Sequence, residues 1–492
     1  MSLYGIKKAV LSREISCVEA ADAFLRRIDA LNPEIGAYLT VTRAQALDAA
    51  RRSDDRIGAG RRDEIGHLEG IPIALKDNIA TDGVRTTCAS RMLDGYVPPY
   101  DATVVSMLKQ AGAVLLGKLN MDEFSMGSSN FFSAFGPCRN PWDLSRTPGG
   151  SSGGPAAAVA ARMAAGSLGT DTGGSVRQPA SFCGVVGLRP TYGRVSRFGL
   201  IAFASSLDQI GPVARDVRDC AILLDAVAGY DPRDSTSMPT PVPDYLHSLG
   251  ENPAGLRIGL PREYLDGGCD PEVAGAVRKA VETFAGLGCR VEEVSLPHHK
   301  HCVATYYLLA SAEASTNLAR YDGVRFGFRA PKTADFSEMY TRSRTEAFGP
   351  EVKRRIMLGT HTLSAGYRDE WYLKAQKVRT LIAREFAAAF RSVDLIAGPT
   401  SPAAAWRLAD RTDDPLAMYL SDACTVPASL AGLPGISVPC GFTRDGLPIG
   451  LQLAGRQFDE ETVFRAAFAY EQTARWNMTP PSLGHSTTKS AE

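Results

Sequence analysis

Lys76, Ser151 and Ser175 are residues of the types needed for nucleophilic hydrolysis. Ser175 follows Gly173-Gly174, where unhindered backbone N–H groups can converge on an oxyanion. Ser151 lies in a similar glycine–serine loop 24 residues earlier, placed to pass a proton between Ser175 and a base. The base is the harder question. The seven histidines are His67, His247, His298, His299, His301, His361 and His485, and none falls between residues 68 and 246. Ser175 is not set in a GxSxG elbow. A lysine base is the alternative, in the manner of Ser–Lys variants of the triad. Lys76 ends the apolar run IPIAL (71–75), where desolvation disfavours the ammonium form. Bringing a lysine to a pKa near 7–8 takes roughly three units, or about 4 kcal/mol, which burial can supply. The ordinary alternatives are a solvated strand-end lysine paired with Asp77, and two serines that only serve tight turns.

Phosphate chemistry fails on placement. Gly112 to Lys118 fits GxxxxGK, but Leu119 stands where a magnesium-binding Ser or Thr is needed, and the apolar strand lies between the glycines. No GxGxxG follows a strand. His298, His299, His301 and Cys302 form a cluster without a second ligand pair nearby, and read as ordinary loop histidines.

The elements that must hold these residues alternate between strands and helices, which implies an α/β layered fold. Ser16 and Glu19 have capping-box spacing for a helix near 17–31, with Phe24, Leu25, Ile28 and Leu31 on one face. A second helix is expected over 43–57. Asp101 reads as the N-cap of a helix through Gln110, ahead of the strand AVLLG. Between Gly149 and Gly211 there are 13 glycines in 63 residues, about twice the chain's average density. From Thr147 to Val176 only Arg162 and Asp171 are charged. Two glycine–serine loops therefore flank one buried helix–strand unit, with Pro155 in the helix's first turn. Farther on, VDLIAGP (393–399) reads as a strand, and GISVPCGF and LPIGLQLAG as a hairpin around Thr443–Gly446. Asp459 caps a last helix to about Arg475.

The composition excludes several classes. The chain has 492 residues with 54 basic and 54 acidic side chains, so it lacks the charge of a nucleic-acid-binding tail or a membrane-docking surface. Ten scattered cysteines without a CxxC pair suggest reduced thiols in a cytoplasm. The first residues lack an export signal's apolar core, and no run of 18 apolar residues offers a membrane span. No linker, low-complexity stretch or repeat divides the chain. One domain over 1–479 is expected, with a helical part to about 65, a core over about 66–215, and a disordered tail at 480–492.

GIPIALKDNI, PGGSSGGPAAAVAA and GTDTGGSVRQPASFCGVVGLRPTYGRVS resemble the amidase signature family. Further stretches, among them AEASTNLARYDGVRFG, EVKRRIMLGTHTLSAGY and LAGLPGISVPCG, are similar to the branch that hydrolyses glutamine within tRNA-dependent amidotransferases. The similarity runs from about residue 5 to 475. It implies a large mixed β-sheet covered by helices on both faces. It also implies Lys76 as the catalytic lysine, Ser151 as a bridging serine after a cis peptide bond, and Ser175 as the acyl-enzyme nucleophile. The N–H groups of Thr172, Gly173 and Gly174 would form the oxyanion hole. Arg355 would grip an α-carboxylate and Asp422 an α-ammonium, with Tyr306 lining the pocket. Taken alone, Arg355 and Asp422 would read as a surface guanidinium and a helix cap.

By the same resemblance, glutamine is the substrate, and the partners are a large B subunit with a small C subunit. The B subunit would use ATP and magnesium to activate misacylated glutamyl- or aspartyl-tRNA, and this chain would need no cofactor. Two alternatives stand beside this: a free amidase acting on simple or aryl amides, and a scaffold that has lost catalysis. One departure is Pro155, where the family usually reads GGSSGGS. Proline suits a helix start, and little catalytic effect is expected.

Overall fold

A computed structural model describes residues 1–60, 65–266, 268–408, 410 and 414–476. Eleven strands form one mixed sheet. In chain order they are β1 (Tyr38–Val41), β2 (Pro72–Lys76), β3 (Val114–Leu119), β4 (Gly166–Asp171), β5 (Val186–Arg189), β6 (Gln209–Ala214), β7 (Arg257–Pro261), β8 (Arg290–Val294), β9 (Leu395–Pro399), β10 (Gly435–Phe442) and β11 (Pro448–Ala454). Their spatial order is β1-β3-β2-β4-β6-β5-β10-β11-β9-β7-β8. The expected hairpin is the antiparallel β10–β11 pair.

Every residue of β2 and β4 is buried, on both faces of the pleat, so helices must cover both sides there. Helix Gly153–Ala160 packs on β2, β3, β4 and β6, and helix Arg177–Cys183 on β5, β10 and β11. One hydrophobic core runs through this region and includes Leu75, Val159, Leu168 and Ile436. A second lies around helices His299–Asn317, Pro350–Leu363 and Lys374–Ala389, with Leu309, Val352 and Phe386 at its centre.

The capping box forms as the spacing requires: Ser16 Oγ accepts from Glu19 N at 3.0 Å, and Glu19 returns the bond to Ser16 N at 2.8 Å. Its helix runs on to Cys17–Ile35, and Phe24 is only partly buried beside the core. Asp101 does not cap. Ala102 holds that position, while Asp101 accepts from Asp82 N and from Lys109 Nζ. β1 falls inside the expected N-terminal helical part, and a helix over Leu3–Leu11 precedes it. His298 and its neighbours are not loop residues. They open helix His299–Asn317, with His298 hydrogen-bonded to Glu385 and the His299 ring tilted against Tyr264 at 5.0 Å. The expected tail at 480–492 lies outside the described residues.

The glycines of the Ser151 loop allow close packing. Gly154 N donates to Asn120 O at 3.1 Å, and a Cβ on Gly154 would come within 2.3 Å of that same oxygen. Backbone cannot move aside as a side-chain tip can. Gly154→Ala is therefore expected to destabilise the protein by about 1–3 kcal/mol or more in urea unfolding. An unchanged midpoint would refute this account of the close approach.

Candidate active site

β2 and β4 are parallel neighbours, with Leu75 opposite Leu168. Lys76 thus leaves the carboxyl end of β2 beside Thr170, near the end of β4. This is where α/β sheets place their ligands, because the loops at that end diverge into a crevice. Lys76 Nζ lies 2.7 Å from Ser151 Oγ, 2.9 Å from Ser152 Oγ and 2.8 Å from Thr170 Oγ1. Burial pushes its pKa down to about 7, although the carboxylates of Asp122, Asp171 and Asp208 pull the other way. Asp77 does not pair with Lys76. It turns to Thr87 and to the buried Lys118, 3.5 Å away.

The two glycine–serine loops meet at this amine. Ser152 N donates to Ser175 O at 3.1 Å, joining the loop before helix Gly153–Ala160 to the loop after β4. The Gly150–Ser151 peptide bond is cis. Gly150 N donates to Gln178 Oε1 at 2.9 Å, and Asp122 N donates to Ser151 O at 3.3 Å. Ser175 is 8% exposed, whereas Lys76 and Ser151 are wholly buried. Among the described residues no hydrogen bond engages the Ser175 hydroxyl or the N–H groups of Thr172, Gly173 and Gly174. Those donors are free for a ligand.

Their loop is held from behind. Thr172 Oγ1 donates to Asp208 at 2.7 Å, and Thr425 Oγ1 donates to Gly173 O at 2.7 Å. Gly174 has φ +139°, and a Cβ there would lie 2.1 Å from Thr425 Oγ1. Tyr306 lies over Gly173 and packs edge-on against Tyr307, with ring centroids 5.0 Å apart. Tyr307 stacks in turn on Tyr419 at 3.8 Å.

The two charged residues both contact Tyr307. Asp422 accepts from Ser128 Oγ at 2.7 Å and from the Tyr307 hydroxyl at 3.4 Å, and burial raises its pKa to about 7. Arg355 lies with its guanidinium 4.9 Å from the Tyr307 ring centre and is only 2% exposed. Neither is the surface arginine nor the simple helix cap that each would be alone. These contacts link the nine residues proposed from the sequence for the site into one cluster.

The sequence reading missed Ser152, Thr170, Ser128 and Thr425, and the anchor beneath the loop. That anchor is Asp171, which accepts from Arg177 Nε and Nη2 at 3.0 Å and from Arg189 Nη1 at 3.2 Å. Its isolation in an almost uncharged stretch was the one available signal.

A model of the Amidase family matches residues 19–464. The chain belongs to the Amidase family. Among its family relatives, the A subunit of glutamyl-tRNA(Gln) amidotransferase from Moorella thermoacetica is 59% identical over 489 residues, covering 98% of this chain and 100% of that one. The protein of the same name from Geobacter sp. (strain M21) is 57% identical over 478 residues, covering 97% and 98%. In the crystal structure of the corresponding Thermotoga maritima protein, which bears the same name, the amidase fold superposes with a TM-score of 0.77 at 44% identity, covering 94% of this chain and 95% of that one.

Proposed function

We propose that this chain is the glutamine-hydrolysing A subunit of a tRNA-dependent amidotransferase, releasing ammonia through Lys76, Ser151 and Ser175. The full-length identity to amidotransferase A subunits supports the assembly role. The observation that favours glutamine over a simple amide is that the buried Arg355 and Asp422 both lie against Tyr307. One cation and one carboxylate in a crevice suit the two ends of an amino acid.

The hydrogen bonds around Lys76 give the proton path a direction. Ser152 Oγ donates to Thr170 O at 3.0 Å, so it can only accept from Nζ. Thr170 Oγ1 already accepts from Asn78 Nδ2 at 3.0 Å and takes a second N–H from Nζ. A neutral amine gives its two N–H bonds to these hydroxyls and keeps its lone pair for Ser151. Lys76 then takes a proton from Ser151 as Ser151 takes one from Ser175, and Ser175 Oγ attacks the side-chain amide carbon. The N–H groups of Thr172, Gly173 and Gly174 hold the oxyanion, each worth about 3 kcal/mol. Collapse returns the proton to the departing ammonia, and water then releases glutamate from Ser175.

In this reading the ammonia passes to a cytoplasmic partner, a B subunit, that binds misacylated tRNA and uses ATP and magnesium, with a small C subunit completing a heterotrimer. The chain folds as one domain, and Pro155 leaves the reaction untouched. Among the described residues no helix is long and apolar enough to cross a membrane. The test is ammonia release from glutamine, asparagine and a simple aliphatic amide by the chain co-expressed with its partners. Selective release from glutamine is expected. Equal rates on simple amides, or no stable complex, would leave a free amidase as the better reading.

A further inference from the structure

The Arg355 guanidinium is held in an unusual way for a buried cation. A guanidinium has five N–H donors. Arg355 spends one of them, Nε–H, on Glu351 Oε1 at 2.8 Å. Among the described residues its Nη1 and Nη2 groups make no hydrogen bond, although the side chain is 2% exposed. Four donors therefore remain, and two of them, one on each terminal nitrogen, run parallel along the Nη1/Nη2 edge. The plane of the group is fixed by aromatic faces, with Tyr307, Tyr419 and Phe203 at 4.9, 5.3 and 5.5 Å from its centre.

Glu351 is one helical turn earlier on helix Pro350–Leu363 and is wholly buried. Its Oε1 also accepts from the Tyr419 hydroxyl at 2.8 Å, and its Oε2 is taken by Arg354. Both oxygens are thus occupied within this cluster. The charges leave a surplus. Glu351 is shared between Arg354 and Arg355, so one carboxylate faces two guanidinium cations within the cluster. A carboxylate arriving at Nη1 and Nη2 would complete it with two parallel hydrogen bonds.

Building on the glutamine reading, we propose that Glu351 is a positioning residue for amino-acid recognition. It holds Arg355 by Nε and Tyr419 by its hydroxyl, so that only the Nη1/Nη2 edge is offered, and it is offered to the substrate's α-carboxylate. Glu351 itself does not touch the substrate.

The experiment compares wild type, Glu351→Gln and Glu351→Leu in the assembled complex. Each is assayed for ammonia release from glutamine and from 4-aminobutanamide, which has the amide and amine but no α-carboxylate. Loss of the clamp is expected to raise KM for glutamine about 10–100-fold in Glu351→Leu, with kcat changed less than about threefold. Glu351→Gln keeps an acceptor for Nε and should fall between the two, and it serves alone if the leucine variant does not fold. In every variant kcat/KM for 4-aminobutanamide should stay at the wild-type value. A glutamine KM that stays within twofold in both variants overturns the proposal, as does an equal loss on both substrates, the mark of a merely structural role. A wild-type enzyme with no preference for glutamine over 4-aminobutanamide would instead overturn the underlying glutamine reading, and the clamp with it.

Discussion

Ser175→Ala and Lys76→Met, each alone, are expected to lower kcat for glutamine hydrolysis by about 10⁴-fold or more, and the double variant to lose little beyond that. In the proposed relay nucleophile and base act as one unit, so removing either removes the whole relay. The variants should part company in stability. Wild-type Lys76 has a pKa of about 7 in the folded chain, against 10.5 for an ordinary lysine, because burial disfavours its charge. Below about pH 7 both folded and unfolded chains hold the proton, and the folded protein carries the full cost, on the order of 5 kcal/mol. Between about pH 7 and 10.5 the unfolded chain binds more protons than the folded one, so wild-type stability rises with pH. Lys76→Met has no such titration. Its stability relative to wild type should therefore be highest below pH 7 and decline by about 1.4 kcal/mol per pH unit above it. Ser175→Ala keeps the lysine and should follow the wild-type slope. Urea midpoints from pH 6 to 9 would decide this, and parallel curves for wild type and Lys76→Met would refute a depressed lysine.

The same titration sets the direction of the activity profile, because only the neutral amine accepts a proton. Activity should climb as pH rises through about 7. Asp422, raised to about 7 by burial, adds a second limb of the same sign, since its carboxylate must be ionised to hold an ammonium.

Lys76 could be placed from sequence because an apolar run ending in lysine is a local pattern. The partners that give it direction could not. Ser152 and Thr170 are small hydroxyl residues in or beside glycine-rich turns, and their meaning appears only when two loops close on one nitrogen. Ser128 and Asp422 are 294 residues apart in sequence, and no local periodicity links them. Asp101 shows the opposite failure. Its position before an apolar run fits a cap, but Asp82 N and Lys109 compete for its carboxylate, and the longer-range contacts win. β2 was legible because burial on both faces leaves an apolar stretch unbroken up to Lys76, whereas β4, GSLGTD, is buried as fully but mixes glycines with Ser167, Thr170 and Asp171. Their adjacency rests on register, and the sequence carries no mark of it.

Asp171 is where fold and site meet, and Asp171→Asn is expected to cost about 3–5 kcal/mol. The carboxylate is wholly buried between Arg177 and Arg189, which are buried too. Burial disfavours its ionised form, but the two guanidinium groups more than reverse this and hold it well below the usual carboxylate range. It also accepts from Val176 N at 3.2 Å, closing the loop that carries Ser175. Asparagine would keep the shape but leave two cations without their shared counter-charge. Arg177 has further partners in Ser429 Oγ and Gln452 Oε1, at 2.7 and 2.6 Å, so the disturbance would reach β11. Because the depressed carboxyl stays ionised far into acid, its contribution should be complete above about pH 4 and lost only under strongly acidic conditions. Urea unfolding of Asp171→Asn at pH 7 measures the cost directly. A loss under about 1 kcal/mol would mean that water or backbone rearrangement compensates the arginines, and that the oxyanion loop does not depend on this anchor. A full loss, with residual activity falling faster than folded fraction, would tie the loop's geometry to the buried charge beneath it.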